Sequence, residues 1–258
     1  MILVNVGCGS RLHPDWVNLD LRPRSPEILS GDLLGGLSLD DGSADAVYAA
    51  HVIEHIPRED ALAAVRECHR VLRPGGVLRV AVPDFEAMAE LYLDLLRGAL
   101  DGDPVARERY EWIVLEMFDQ MVRTVSGGAM LDHWGSHPMP AEDFVIKRCG
   151  EEAVNVANSL RKHGHTPALR PTTAEAVGAF RLSGEVHQWM YDRYSLGELL
   201  GRAGFTSLGV VRADESAIPY FAQYNLDTAP DGTVRKPDSL FMEGVKPCLH
   251  KGANPIER

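Results

Sequence analysis

The first twenty residues constrain this chain more than any other stretch. Ile2, Leu3, Val4 and Val6 form an apolar run that breaks into Gly7-Cys8-Gly9-Ser10, and a second run, Trp16-Val17-Asn18-Leu19, ends on Asp20. Apolar, β-branched runs bounded by glycine read as strands. Glycine has no Cβ, so the backbone at Gly7 and Gly9 can approach a ligand closely. A carboxylate at the tip of the next strand can accept from both hydroxyls of a ribose. Strand, glycine turn, strand and carboxylate make a nucleoside site on an α/β sheet. Only Ser10 to Asp15 join the two strands. At about 3.3 Å per residue they just run back along one short strand, whereas a helical crossover needs about a dozen residues or more. A loop or single turn is expected there, without the helix that usually follows such a glycine loop.

The dinucleotide fingerprint G-x-G-x-x-G, with an acid roughly 20 residues on, is a poor fit. Leu12 stands at the third glycine, the acid comes 11 residues after Gly9, and no Y-x-x-x-K is present. A third strand is expected at Glu27-Ile28-Leu29, before Gly31-Asp32-Leu33. Ser43 to Ala50 reads as the fourth strand and enters His51-Val52-Ile53-Glu54-His55-Ile56-Pro57. A helix from Arg58 to Leu72 follows, its apolar face made by Leu62, Val65 and Leu72. Pro74-Gly75-Gly76 is expected to end it through a left-handed cap, before a fifth strand at Val77 to Val82 and then Pro83-Asp84.

These blocks, V-G-C-G-S with Asp20, D-A-V-Y-A-A-H-V-I-E-H-I-P, and V-L-R-P-G-G-V-L-R-V-A-V-P-D, resemble in register the class I S-adenosylmethionine-dependent methyltransferases of the small-molecule type. The later L-L-x-x-A-G-F followed by a strand, a loop and a last strand is similar to the end of that family. The resemblance implies an α/β, Rossmann-like, seven-stranded, mostly parallel sheet of order 3-2-1-4-5-7-6, its last strand antiparallel beside the fifth. It implies S-adenosylmethionine as cofactor, with contacts from Asn5, Val6, Gly7, Cys8, Gly9, Asp20, Leu21, Asp32, Leu33, Ala50 and His51. Asp20 would take the ribose, Asp32 and Leu33 the adenine, and Ala50 with His51 the methionine end.

Residues 85–185 leave the sheet pattern. Helices are expected at Phe85 to Leu100 and Val105 to Val125, a break at Ser126-Gly127-Gly128, a polar aromatic loop at Asp132 to Pro138, and one helix from Glu142 to His163. The expected organisation is a core of 1–84 and 186–258 with 85–185 inserted as a helical lid over the acceptor pocket. A homodimer face is the alternative use of those helices. Ser195-x-x-Glu198 reads as a capping box opening a helix to Ala203, capped by Gly204, before strands at Phe205 to Arg212 and Ser239 to Lys246.

Methyl transfer needs an aligned acceptor and often a base near neutral pH, a task that suits histidine. The candidates are His51, His55 and His187, with His133 and His137 in the lid. His51, Glu54 and His55 share a face at helical spacing, as in some metal-dependent relatives of the family. Glu54 is read instead as a cap or an arginine partner, and no metal is expected. The net charge of −11, with no basic block and no D/N-P-P-Y after the fourth strand, speaks against nucleic acid. No run approaches the roughly 18 apolar residues of a membrane span. The start MILVNVG lacks a basic leader, and the scattered Cys8, Cys68, Cys149 and Cys248 suit a reducing cytoplasm. The expected activity is methylation of a hydroxyl or amine of a small molecule, such as a sugar or secondary metabolite. The rivals are an NAD(P)-dependent oxidoreductase or epimerase, and a non-catalytic S-adenosylmethionine-binding partner protein.

Overall fold

The two apolar runs at the N-terminus pair in parallel as β1 (Leu3–Val6) and β2 (Trp16–Asp20), joined by a loop that contains no helix. The loop is clamped from beneath. Buried Asn5 donates its amide to the Arg11 carbonyl and to Asn18 Oδ1, and Asn18 donates to the His13 carbonyl. The computed structural model describes residues 1–248. The chain continues through β3 (Leu29–Ser30), β4 (Ala44–Ala50), α1 (Ala61–Val71) and β5 (Leu72–Pro83). Helices α2 (Phe85–Leu100), α3 (Pro104–Val122), α4 (Gly128–Trp134), α5 (Glu142–Cys149), α6 (Glu151–His163) and α7 (Ala174–Arg181) come next. Then follow α8 (Arg193–Ala203), β6 (Thr206–Val210) and β7 (Ser239–Val245). The sheet has seven strands in the order β3-β2-β1-β4-β5-β7-β6, with β7 antiparallel to both its neighbours. That is the α/β sheet the resemblance implied.

Strand alternation sends two sets of side chains to two faces. Val4, Val47, Leu78 and Val80 meet Val65 and Cys68 of α1 and Leu196 and Leu200 of α8. Leu3, Trp16, Ala46, Tyr48 and Val77 face the other way, toward Ile218, Phe221 and Leu226. Among the described residues no α-helix joins this cluster, only the short 3₁₀ turn Phe221–Tyr224. The β1–β2 connection is too short to supply one, and the segment between β6 and β7 lies over this face instead. It packs by edge-to-face aromatic contacts on Trp16 of β2, Tyr224 at 5.3 Å and Phe221 at 6.4 Å between ring centroids.

Arg79 pins that segment down. It points from β5 into the same face, fully buried, and bonds Asp227 and Glu243 at 2.8 Å each. Its remaining donors reach the carbonyls of Arg212, Ala213 and Glu215. Asp227 also accepts from the Tyr48 hydroxyl at 2.5 Å. Every donor of the guanidinium fork therefore has a partner, as a buried charge requires.

Several expected boundaries are corrected. The helix placed at Arg58 to Leu72 is shorter, because Leu72 is already extended and pairs with Ala44. Gly75, at φ +79°, does not cap that helix but makes a tight return, where its N–H donates to the Lys246 carbonyl. The cap comes from far away: Lys246 Nζ donates to the carbonyls of His69 (2.8 Å) and Leu72 (2.7 Å). Lys246→Met keeps the aliphatic stem but strands these carbonyls, so urea unfolding should show a loss of about 1–2 kcal/mol.

The capping box is shifted as well. Asp192 is the N-cap and Ser195 is its N3 partner, each side chain bonding the other's backbone N–H. The expected loop at Asp132 to Pro138 begins inside α4, whose Trp134 and Met130 bury against Trp112. The helix expected from Glu142 to His163 is two helices, broken at Gly150 (φ +59°). There the Arg235 carbonyl lies where a Cβ would stand and accepts the Glu151 N–H. The third strand is only Leu29–Ser30, and β6 is shorter than Phe205 to Arg212.

Helices α2 to α7 have their own apolar contacts, Trp112, Met130, Trp134, Val145 and Cys149 in one group and Met88, Ile113 and Met117 in another. Buried Glu116 is held by Arg148 and by the Trp112 indole N–H. No helix among the described residues is long and apolar enough to cross a membrane.

Candidate functional site

The carboxyl ends of β1, β2 and β4 enclose a cavity of about 550 Å³. Open α/β sheets hold ligands at this end. Gly7 and Gly9 both take positive φ, +64° and +53°, which glycine adopts without steric cost. The two glycines are needed for different reasons. A Cβ on Gly7 would run into the Val52 side chain, whereas one on Gly9 would meet no atom within 4 Å, because that face is open to the cavity. Asp20 ties the turn to β2: its Oδ2 accepts from the Gly9 N–H at 2.9 Å and its Oδ1 from the Arg22 N–H at 2.8 Å. Asp32 accepts from the Leu34 N–H at 2.8 Å, which turns the chain so that Asp32 and Leu33 both line the cavity.

Val6, Gly7, Gly9, Asp20, Leu21, Asp32, Leu33, His51 and His55 are thus brought together around one space. Asn5 and Cys8 point away from it: Asn5 clamps the loop, and Cys8 is buried. Burial and the Asp20 charge push the Cys8 thiol up to about 11, so it stays protonated. Ala50 lines a second cavity of about 130 Å³ with Tyr48, Ser239 and Phe241. His51 lines both cavities. His133, which contacts the Pro140 carbonyl in the helical region, and His137 line neither. The sequence reading missed Arg22, Arg24, Val52 and the segment Ser183-Gly184-Glu185. The arginines follow Asp20 directly and were a visible signal; 183–185 arrives through tertiary folding alone.

His51 sits at the tip of β4 with φ +54°, a conformation a side-chain-bearing residue rarely takes. Its backbone N–H donates to the Ala81 carbonyl at 2.8 Å. That conformation aims its ring between two partners, Glu54 Oε1 on Nδ1 and Ser239 Oγ on Nε2, each at 3.0 Å. Glu54 is completely buried in the 3₁₀ turn Ile53–His55. Burial alone would raise its carboxyl, but the hydrogen bond and charge of His51 outweigh this and hold it down at about 2. An ionised Glu54 only accepts, so Nδ1 of His51 carries the proton and, in the neutral ring, Nε2 is left as an acceptor.

His187 is buried behind His55, the rings edge-to-face with centroids 4.7 Å apart. Burial drives His187 down to about 3 and also lowers His55, against the opposing pull of Glu54. Both are neutral near pH 7, and His187 is a poor proton acceptor there. The chain brings His187 here by backbone bonds: its N–H donates to the Gln120 carbonyl, and the Gln188 N–H donates to the Glu54 carbonyl.

The family described as "Methyltransferase domain" matches residues 14–80. A probable methyltransferase, ltbC, of Aspergillus luteorubrus is 36% identical over 87 residues, 30% of this chain and 30% of that protein. A demethylmenaquinone methyltransferase of Staphylococcus epidermidis is 28% identical over 135 residues, 42% of this chain and 54% of that one. The matches therefore span about half or less of these relatives. A solved structure from Thermotoga maritima, described as a SAM-dependent methyltransferase and possible histamine N-methyltransferase, has TM-score 0.42 and 14% identity. That match covers 95% of this chain and 82% of that one. Residues 14–80 match the methyltransferase-domain family, and the sheet in which they lie has the strand order that the sequence resemblance implied.

Proposed function

We propose that the larger cavity binds S-adenosylmethionine and that the chain methylates a hydroxyl or amine of a small molecule held in the smaller one. One observation carries this reading. The bare, positive-φ turn at Gly9 opens onto empty space and is bonded directly to the carboxylate of Asp20, so an adenosyl group meets backbone and acid rather than side chains. Asp20 would accept from the ribose hydroxyls, Asp32 from the adenine amine, and Leu33 would pack on the ring. When bound, the cofactor supplies an electrophilic methyl on sulfur.

The residues supply alignment and a place for the proton. His51 lines both cavities, and Glu54 behind it fixes the tautomer in which Nε2 is the acceptor, where it meets the Ser239 hydroxyl. We therefore assign His51 as the base and Glu54 as its positioning residue. Of the other two candidates, His55 lines only the larger cavity, and burial keeps His187 unprotonated. Helices α2 to α7, with 183–185 lining the cavity, act as the lid, and residues 1–84 and 186–258 as the core. The unpaired cysteines, three of them buried, fit a reducing cytoplasm.

The test is calorimetry with S-adenosylhomocysteine and with NAD. The first should bind and the second should not. Gly9→Val should abolish the heat while leaving a cooperative transition, since only the left-handed backbone penalty of about 1–2 kcal/mol is added. Gly7→Ala should lower the melting temperature more, because it adds a clash with Val52 to the same penalty. Binding of NAD in place of the thioether would overturn the assignment.

A further inference from the structure

We propose that Glu54, His55 and His187 form a binding site for one divalent first-row transition-metal ion of the zinc or cobalt class. The three side chains come from two segments, the turn Ile53–His55 and the strap that leads to α8. One donor atom from each lies within 4.8 Å of the others. Metal–ligand bonds of about 2.0–2.2 Å require donors somewhat closer than that, which side-chain rotation can provide.

Unpartnered atoms mark the spot. Glu54 gives Oε1 to His51, but its Oε2 is buried and has no hydrogen-bond partner. His55 Nδ1 is buried and equally unpartnered. A carboxylate oxygen shut away from water without a donor is costly, and a cation relieves that cost. The framework around it is already in place. Gln188 and Trp189 N–H groups both donate to the Glu54 carbonyl, at 2.7 and 3.2 Å, and the His187 N–H to the Gln120 carbonyl at 3.0 Å. The Gln120 side-chain amide nitrogen lies 3.0 and 3.3 Å from the two His187 ring nitrogens, and with the amide turned so that its oxygen faces the ring it can accept from the N–H that the ion leaves free.

The donor chemistry selects the ion. Two imidazoles and one carboxylate suit zinc, cobalt or ferrous iron, while magnesium and calcium prefer all-oxygen sets. Three protein donors leave a fourth position for an exchangeable water. His55 lines the larger cavity, so that position is reached from there.

The experiment uses the full chain, stripped with a chelator, dialysed against zinc and analysed for metal content. One equivalent should be retained. Cobalt should give the intense visible bands of a four-coordinate nitrogen and oxygen site, a readout that needs no variant. His187→Ala and Glu54→Gln should each weaken zinc binding at least 100-fold, while His163→Ala, on α6, should leave it unchanged. No stoichiometric retention, a six-coordinate cobalt spectrum, or binding untouched by both site variants would each overturn the site and leave a buried water as the partner of Glu54. S-adenosylhomocysteine binding, measured on the same metal-free protein, reports on the cofactor reading separately.

Discussion

Asp20→Ala should weaken S-adenosylhomocysteine binding by about 100-fold. Two hydrogen bonds from ribose hydroxyls to a charged carboxylate are worth about 1.5–3 kcal/mol each, and roughly 3 kcal/mol in total is about two decades of affinity. The variant loses a second thing as well. Asp20 Oδ2 holds the Gly9 N–H and Oδ1 holds the Arg22 N–H, so the glycine turn is loosened before any ligand arrives. Asp20→Asn separates the two effects. Its amide oxygen still accepts from Gly9 but the charge is gone, so it should fall between wild type and alanine, about tenfold weaker than wild type. Calorimetric titration of the three proteins decides the matter. Equal affinities would mean that the carboxylate serves the turn alone and touches no ligand.

Replacing Arg79 with methionine should produce the largest loss of stability in the chain. The substitution keeps bulk and removes the charge, leaving buried Asp227 and Glu243 facing each other's field and three carbonyls without donors. Breaking a buried ion pair on one side costs about 3–5 kcal/mol, which for a chain of this size lowers the melting temperature by about 10 °C. The pH dependence gives the sign. Burial already raises the Asp227 carboxyl, with Arg79 the main influence pulling it back. Without Arg79 it rises further above its unfolded value. A group raised in the folded state contributes stability that is complete below the unfolded pKa and is lost as pH rises through the folded pKa. The variant's deficit relative to wild type should therefore shrink at pH 5 and widen at pH 8. A deficit independent of pH would show that the carboxylates are satisfied some other way.

Arg79 also shows why the face under the β6–β7 segment was not legible beforehand. A lone arginine within Val77-Leu78-Arg79-Val80 is visible in sequence, but its partners lie more than 130 residues away. The same holds for Lys246, which caps a helix that ends at Val71, and for Gly150, whose break answers the Arg235 carbonyl. The shifted start of α8 has a different cause. Asp192-x-x-Ser195 and Ser195-x-x-Glu198 are both acceptable caps, and nothing local chooses between them.

At the site, the glycines and acids that line the larger cavity were readable because each answers a constraint within its own few residues: left-handed backbone, strand tip, Asx turn. The histidines were not readable in the same way. His51 and Glu54 appear as neighbours at helical spacing, yet their relation depends on a β4 tip held at positive φ by the Ala81 carbonyl. Asn5, Cys8 and Ala50 are adjacent in sequence to residues that line the cavity and still face elsewhere, because successive side chains on a strand or turn diverge.

The amino-acid order alone marked the apolar strands and the glycine–carboxylate turn, since apolar runs, missing Cβ atoms and short connections act through the nearest few bonds, while the strand order was legible only through the family resemblance those blocks carry. The tertiary structure alone decided which histidine is held by an ionised glutamate, that His187 lies against His55, and what covers the second face of the sheet. Those outcomes rest on burial and on pairings between distant segments, and neither exists until the chain has closed around them.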